Sequence, residues 1–291
     1  MNGNFLVQAT VALAMTFLVH GATGAQGSAV LSALAVTGQR AVAAVRDTSR
    51  VANAAAVAVD MSDPDSLAAA YTAASGVFVH LPLAAPEDQW KFARAVGAAV
   101  RAARPDRVVV STSGSVLGTG SAPDLLVDEL ARSGVSYAVV EPRQFLDNLL
   151  LPFVVDAART EGVLRYPLPA DYVTSWTSHL DVADAVVRLL TDISFVGAVS
   201  VGALPPLDGQ QVADGFSRYL GLDVRYEAST PDEFGDKIAP LFGEETSRLV
   251  ADGFTSRQGE AGDVIQGGSS AQALLGLHPR TVESWLRDLG V

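Results

Sequence analysis

Thr16-Phe17-Leu18-Val19-His20-Gly21-Ala22-Thr23-Gly24-Ala25-Gln26-Gly27-Ser28 is the stretch on which the reading of the fold turns. A short apolar run suited to a buried strand passes directly into three glycines at regular spacing, and then into Ser28-Ala29-Val30-Leu31, which has helical composition. In a strand-turn-helix unit of this kind Gly21 takes the tight turn, Gly24 lets the main chain approach a pyrophosphate, and Gly27 lets the helix pack closely on the strand. With Thr23 in the same turn, the free amides of Ala25, Gln26 and Gly27 would face the phosphates at the favourable end of the helix dipole. The alternative is an ordinary glycine-rich connection; the strand before it and the helix after it favour a dinucleotide site.

Working outward, apolar runs at 41–45, 56–59, 77–81, 107–111 and 137–140 recur after the first at 16–20. Segments of helical character at 28–37, 66–74, 86–103 and 123–133 lie between them, although only a short loop joins the second run to the third. This alternation predicts an α/β fold with a doubly wound parallel sheet covered on both faces. Ser62-Asp63-Pro64-Asp65 reads as a capped helix start, and Asp181 is expected to cap a helix over 182–190. After Pro142 the rhythm loosens, with prolines at 152, 167, 169, 205 and 206, which predicts a smaller irregular lobe. The expected organisation is an extension over 1–14, a dinucleotide-binding core over 15–150 and a substrate lobe over 151–291. A secretory leader is the competing reading of the apolar stretch from Phe5 to Val19; no basic residue precedes it, and it runs straight into the glycine turn.

The chain has 291 residues, 49% of them hydrophobic, enough to bury one large α/β domain. Its 32 acidic and 20 basic side chains give a net charge of -12, which repels polyphosphate surfaces, so no nucleic-acid partner is expected. Cysteine is absent and the four histidines have no ligand-like spacing, so no metal site is expected. The apolar stretches are too short and interrupted for a membrane span, and a cytoplasmic protein is expected. Lys91 and Lys237 are the only lysines, which leaves lysine-dependent catalysis hard to place.

The end of the second strand selects the dinucleotide. A carboxylate there would accept from the ribose 2′-hydroxyl, whereas an arginine would pair with a 2′-phosphate. The strand ends Ala44-Val45-Arg46-Asp47 with Arg50 nearby, so Arg46 favours NADP and Asp47, one position later, leaves the other reading open.

With this turn and Arg46, the segments Val59-Asp60-Met61, Tyr137-Ala138-Val139-Val140-Glu141-Pro142 and His179-Leu180-Asp181-Val182-Ala183, and the closing Leu275-Gly276-Leu277-His278-Pro279-Arg280-Thr281 with Trp285-Leu286, the chain resembles the NmrA-like branch of the atypical short-chain dehydrogenase/reductases. The resemblance runs from Met15 to the end. It implies NADP(H) along the carboxyl edge of the sheet, with Asp60 beside the adenine and His80, Leu81 and Pro82 near the nicotinamide ribose. Ser111, Thr112 and Ser113 would follow the fifth strand, and Phe145, Asn148 and Trp176 would line the substrate side. Asp60 is equally readable as a helix-start carboxylate. Two features depart from the family. The tyrosine four residues before a lysine, which passes a proton to a carbonyl in the larger superfamily, is missing, and the usual arginine-proline after the sixth strand is replaced by Glu141-Pro142-Arg143.

Hydride transfer needs chiefly an oriented nicotinamide and a substrate held against it, so a reductase can work without a strong side-chain acid. A quinone suits that situation. Since relatives in the branch include NADPH:quinone reductases, the leading expectation is reduction of a small apolar quinone, enone or carbonyl compound in a cleft with Leu81, Pro82, Phe145 and Trp176. His80, Thr112 and Ser113 are the candidate donors to a substrate oxygen, and each is also readable as loop capping. Tyr137 is expected to pack and His179 to hold a loop. Ser113 lacks the glycine-flanked elbow of a hydrolase nucleophile. The second functional reading is a non-catalytic NADP(H) sensor that contacts a regulatory protein; a homodimer is a further possible association.

Overall fold

The structure is a computed structural model that describes residues 16–72 and 74–291; the expected extension over 1–14 and the expected domain start at Met15 lie outside the described residues. β1 (Thr16–His20) leads to α1 (Ala25–Val36), followed by β2 (Arg40–Val45), β3 (Ala55–Ala58), α2 (Pro64–Tyr71), β4 (Gly76–His80), α3 (Pro86–Ala103), β5 (Arg107–Ser111), α4 (Ala122–Ser133) and β6 (Ser136–Pro142). The chain continues through α5 (Pro152–Glu161), β7 (Val163–Tyr166), β8 (Val173–Thr174), α6 (His179–Thr191), β9 (Gly197–Val201), α7 (Gly209–Leu220), β10 (Arg225–Ala228), α8 (Pro231–Phe242) and α9 (Glu244–Thr255). β11 (Gly262–Asp263), α10 (Ala271–Leu275) and α11 (Val282–Leu289) complete it.

Seven parallel strands form one sheet in the order β3-β2-β1-β4-β5-β6-β9. Each central strand is buried on both faces, which is why the sequence reads as continuous apolar runs rather than alternation. α1 and α6 cover one face, where Val30, Leu34, Val186 and Leu190 share a core with Phe17, Phe78 and Val109. α2, α3 and α4 cover the other face, where Leu67, Val96 and Leu126 pack with Val77, Val79 and Val108. The direction of strand addition reverses at β1, whose neighbours are β2 and β4, and this opens a crevice at the carboxyl ends of these strands.

Three expectations are corrected. The helix expected from Ser28 begins at Ala25, because Gly24 is extended at φ -103° and takes the N-cap place. Asp181 is not the cap of α6: Ser178 is, its hydroxyl accepting from the Asp181 amide at 3.1 Å, while Asp181 Oδ2 accepts from the Ser178 amide at 2.9 Å. The two residues form a reciprocal capping box. Residue 150 does not divide core from lobe either, since α6 packs on α1 and β9 adds a seventh strand beside β6. In contrast Asp63 caps α2 as expected, with its carboxylate accepting from the Asp65 amide at 3.0 Å and Pro64 in the first turn.

The irregular lobe has its own core, in which Tyr166, Trp176, Phe216, Phe234, Phe254 and Trp285 are buried together. The parallel pairs β7-β10 and β8-β11 stitch it across long sequence separations. Arg280 fastens the closing segment to α6 through Asp181 and Asp184, at 2.9 and 2.8 Å, and pairs with Asp288 of α11 at 2.8 Å. No helix among the described residues is long and apolar enough to cross a membrane.

Candidate functional site

The first turn of α1 leaves its leading amides open. Ser28 is the first residue of α1 whose amide finds a main-chain acceptor, Gly24 O at 3.0 Å. The amides of Ala25, Gln26 and Gly27 have no acceptor among the described residues, and the first turn carries no acidic side chain. Gly21 is left-handed at φ +64°, and a Cβ there would collide with the His80 imidazole. At Gly27 a Cβ would fall on the main-chain carbonyls of His20 and Gly21, so only glycine lets the helix sit this close to β1.

Beyond this turn a groove of about 1060 Å³ follows the carboxyl ends of β1 to β4. Its walls include Gly21, Thr23, Gly24, Arg46, Asp60, His80 and Pro82 of the expected set, together with Lys91 from α3. Arg46 is exposed at the end of β2. Asp47 turns away to cap the short 3₁₀ turn Thr48–Arg50, its carboxylate accepting from the Ser49 amide at 3.0 Å and hydroxyl at 2.6 Å. These bonds, both to Oδ1, hold the Asp47 carboxyl below its usual range and fix it on the turn. Asp60 Oδ1 accepts from the Ser62 amide and hydroxyl, each at 2.8 Å, and Lys91 and Arg46 are the cations that bear on it. Lys91 was invisible to the sequence reading because nothing in its local pattern says that α3 turns it toward the end of β2.

Two histidines, His20 buried and His80 half-buried, form the floor. His20 Nε2 lies 2.9 Å from the Tyr71 hydroxyl; burial first, and then the neighbouring His80, pushes its pKa down to about 3. Burial likewise lowers the His80 pKa, against a hydrogen bond with the Leu81 main chain, and His80 Nε2 has no partner. Both rings are therefore neutral near neutral pH, and His80 is no cationic acid.

A second cavity of about 500 Å³ adjoins the groove, and Leu83 lines both. It gathers Leu81, Ser111, Thr112, Ser113, Phe145 and Asn148 of the expected set. Ser113 sits in left-handed backbone at φ +54°, an uncommon state for a non-glycine residue that aims the turn after β5 at the cavity. Gln26 Nε2 donates to Ser113 Oγ at 3.2 Å, so α1 is wired to this turn, and the Ser113 amide donates to Ser111 Oγ at 3.2 Å. Thr112 Oγ1 is buried without a partner.

The expected apolar cleft needs correction. Trp176 is only 3% exposed, lies in the core of the lobe and lines neither cavity, and Pro82 lies on the groove side. In their place the second cavity presents Arg143, Gln144 and Arg257. Arg143 was legible only as a departure after β6, and Arg257 follows α9, which shares the cavity with the turn after β5 through no local pattern. Tyr137 packs partly buried against the α2–α4 side, and His179 Nδ1 lies 3.3 Å from Asp147 Oδ1, where its main-chain amide also donates to Asp147 Oδ2 at 2.9 Å.

Solved structures share this architecture. They include the triphenylmethane reductase of Citrobacter sp., with a TM-score of 0.78 and 16% identity over 95% of this chain and 100% of that one. The NADPH-dependent quinone oxidoreductase of Escherichia coli, solved with NADPH, gives a TM-score of 0.72 and 18% identity over 95% and 100%. A nucleoside-diphosphate-sugar epimerase of Staphylococcus aureus gives 0.72 and 17% over 94% and 100%. At such identities the likeness establishes the fold. Comparison with curated protein sequences finds no match. A model of the NAD(P)H-binding family matches residues 21–193, which is more than half of the chain and contains both the glycine turn and the sheet edge it serves. The chain belongs to the NAD(P)H-binding family.

Proposed function

We propose that the protein is an NADPH-dependent reductase of a small quinone, enone or related carbonyl compound. The amides of Ala25, Gln26 and Gly27, with Thr23, hold the diphosphate; Arg46 and Lys91 pair with the 2′-phosphate; Asp60 lies by the adenine. When bound, the reduced nicotinamide supplies the hydride. Thr112 and Ser113 orient a substrate oxygen: the Thr112 hydroxyl is free, and Ser113, already accepting from Gln26, keeps its own proton to donate. His80 in its neutral form closes the floor beneath Gly21 and keeps water out.

The observation that carries the reading is the second cavity, joined to the nucleotide groove at Leu83, since a protein that only senses NADP(H) needs no pocket for another small molecule. The structural neighbours named as a quinone oxidoreductase and a triphenylmethane reductase point the same way. Mixing the protein and NADPH with a panel of quinones and enones tests it: loss of NADPH fluorescence beyond the uncatalysed rate is expected. Tight nucleotide binding with no turnover of any compound would favour the sensor.

A further inference from the structure

We infer that the substrate of this site bears a carboxylate, which Arg143 and Arg257 hold. The inference rests on the reductase reading and adds the charge of the substrate to it.

Across the protein acidic side chains outnumber basic ones by 32 to 20, yet the wall of the second cavity has two arginines and no aspartate or glutamate. Asp263, behind the wall, faces both arginines and offsets one of the two charges; a neutral quinone gives no reason for the other. An anionic substrate does, because without it the negative field of the chain would disfavour entry.

Arg143 is short of acceptors. Its side chain is 12% exposed, and neither Nε nor Nη1 has a hydrogen-bond partner among the described residues. Nε stands 3.1 Å from Asp263 Oδ1, an ion pair by distance but without hydrogen-bond geometry, and Asp263 lies outside the cavity wall. Buried guanidinium donors left unfilled are costly, and a carboxylate in the cavity offers the planar pair of acceptors they match. Arg257, from the segment after α9, brings the second cation; its Nη1 donates to Gly253 O at 3.1 Å and its guanidinium carbon lies 5.8 Å from the Phe254 ring centre.

The neutral amides nearby each have one donor engaged. Gln144 Nε2 and Asn148 Nδ2 both donate to the Tyr166 hydroxyl, at 2.7 and 3.2 Å. The arginines are therefore the strong donors left to meet a ligand, while Leu81 and Phe145 provide the apolar wall for a conjugated skeleton.

Calorimetric titration with a redox-inert pair, 4-hydroxybenzoate and its neutral amide 4-hydroxybenzamide, tests the inference on protein with and without NADP⁺. The acid is expected to bind about tenfold or more tightly than the amide, as one charge-assisted pair gives. The preference should shrink to within about twofold in Arg143→Met and persist in part in Arg143→Lys. Arg257→Met, on a different element, should weaken the acid alone and serves if Arg143→Met fails to fold. Equal binding of the two probes, or no binding of either, overturns the inference. Failure to bind NADPH would instead overturn the reductase reading, with the acid-amide comparison on nucleotide-free protein still deciding the charge of the ligand.

Discussion

Arg46 and Lys91 flank the distal end of the nucleotide groove, and Asp47, the one carboxylate that could have read a ribose hydroxyl at the end of β2, is bonded to Ser49 instead. Arg46→Ala should therefore weaken NADPH binding by about ten- to a hundredfold, the worth of a charge-assisted phosphate contact, and leave NADH nearly unchanged. Parallel fluorescence titrations with the two nucleotides check this; an equal loss for both would show that the arginine does not read the phosphate. The place of Arg46 at the groove was legible in the sequence because it depends only on its standing one step past a strand. Lys91, Arg143 and Arg257 were not, because each acts through a tertiary juxtaposition. Trp176 was misplaced for the same reason: an aromatic near an expected cleft is as well suited to a lobe core, and only packing decides.

At the scale of the element, β1 and α1 depend on the missing side chain at Gly27. A methyl group there meets main-chain carbonyls that cannot swing aside, so Gly27→Ala should cost about 1–3 kcal/mol and also displace the amides at the head of α1. Thermal melting and an NADPH titration should both register it. Arg107 plays a comparable part at the start of β5: it is 1% exposed and donates to Leu189 O at 2.9 Å, Ser136 Oγ at 2.7 Å and Phe195 O at 2.6 Å. It thereby ties the sheet to the end of α6 and the approach to β9. Arg107→Met leaves one buried and two part-buried acceptors without this donor and should destabilise by about 2–4 kcal/mol in denaturant unfolding. The six strands from 16 to 142 were readable as apolar runs because a doubly covered parallel sheet demands them. β9 was missed because Gly197–Val201 is glycine-led and returns to the sheet only after the excursion through α5, β7, β8 and α6. The cap of α6 was misassigned by three residues because both members of a capping box carry side chains suited to either role.

For the molecule as a whole, the floor of the groove sets a pH limit. The His20 pKa lies near 3 in the folded chain against an ordinary 6.5, and that of His80 is also lowered by burial. The unfolded chain thus takes up protons that the folded one refuses. The stability His20 contributes is complete above about pH 6.5 and falls as the pH drops through the window toward 3, by up to about 1.4 kcal/mol per pH unit, and His80 acts in the same direction. The melting temperature should decline in that window, ahead of the carboxylates. His20→Gln, which still offers a partner to the Tyr71 hydroxyl, should flatten the decline, and an unchanged slope would contradict the assignment.

The same floor, turn and helix head make one claim about the molecule, that the amides of Ala25, Gln26 and Gly27 bind the diphosphate of NADPH. Titration of NADPH fluorescence with the protein, competed by 2′,5′-ADP, tests it most directly. A saturable enhancement reversed by the competitor is predicted for the wild type and sharply weakened in Gly27→Ala. No saturable signal with either NADPH or NADH would contradict the account.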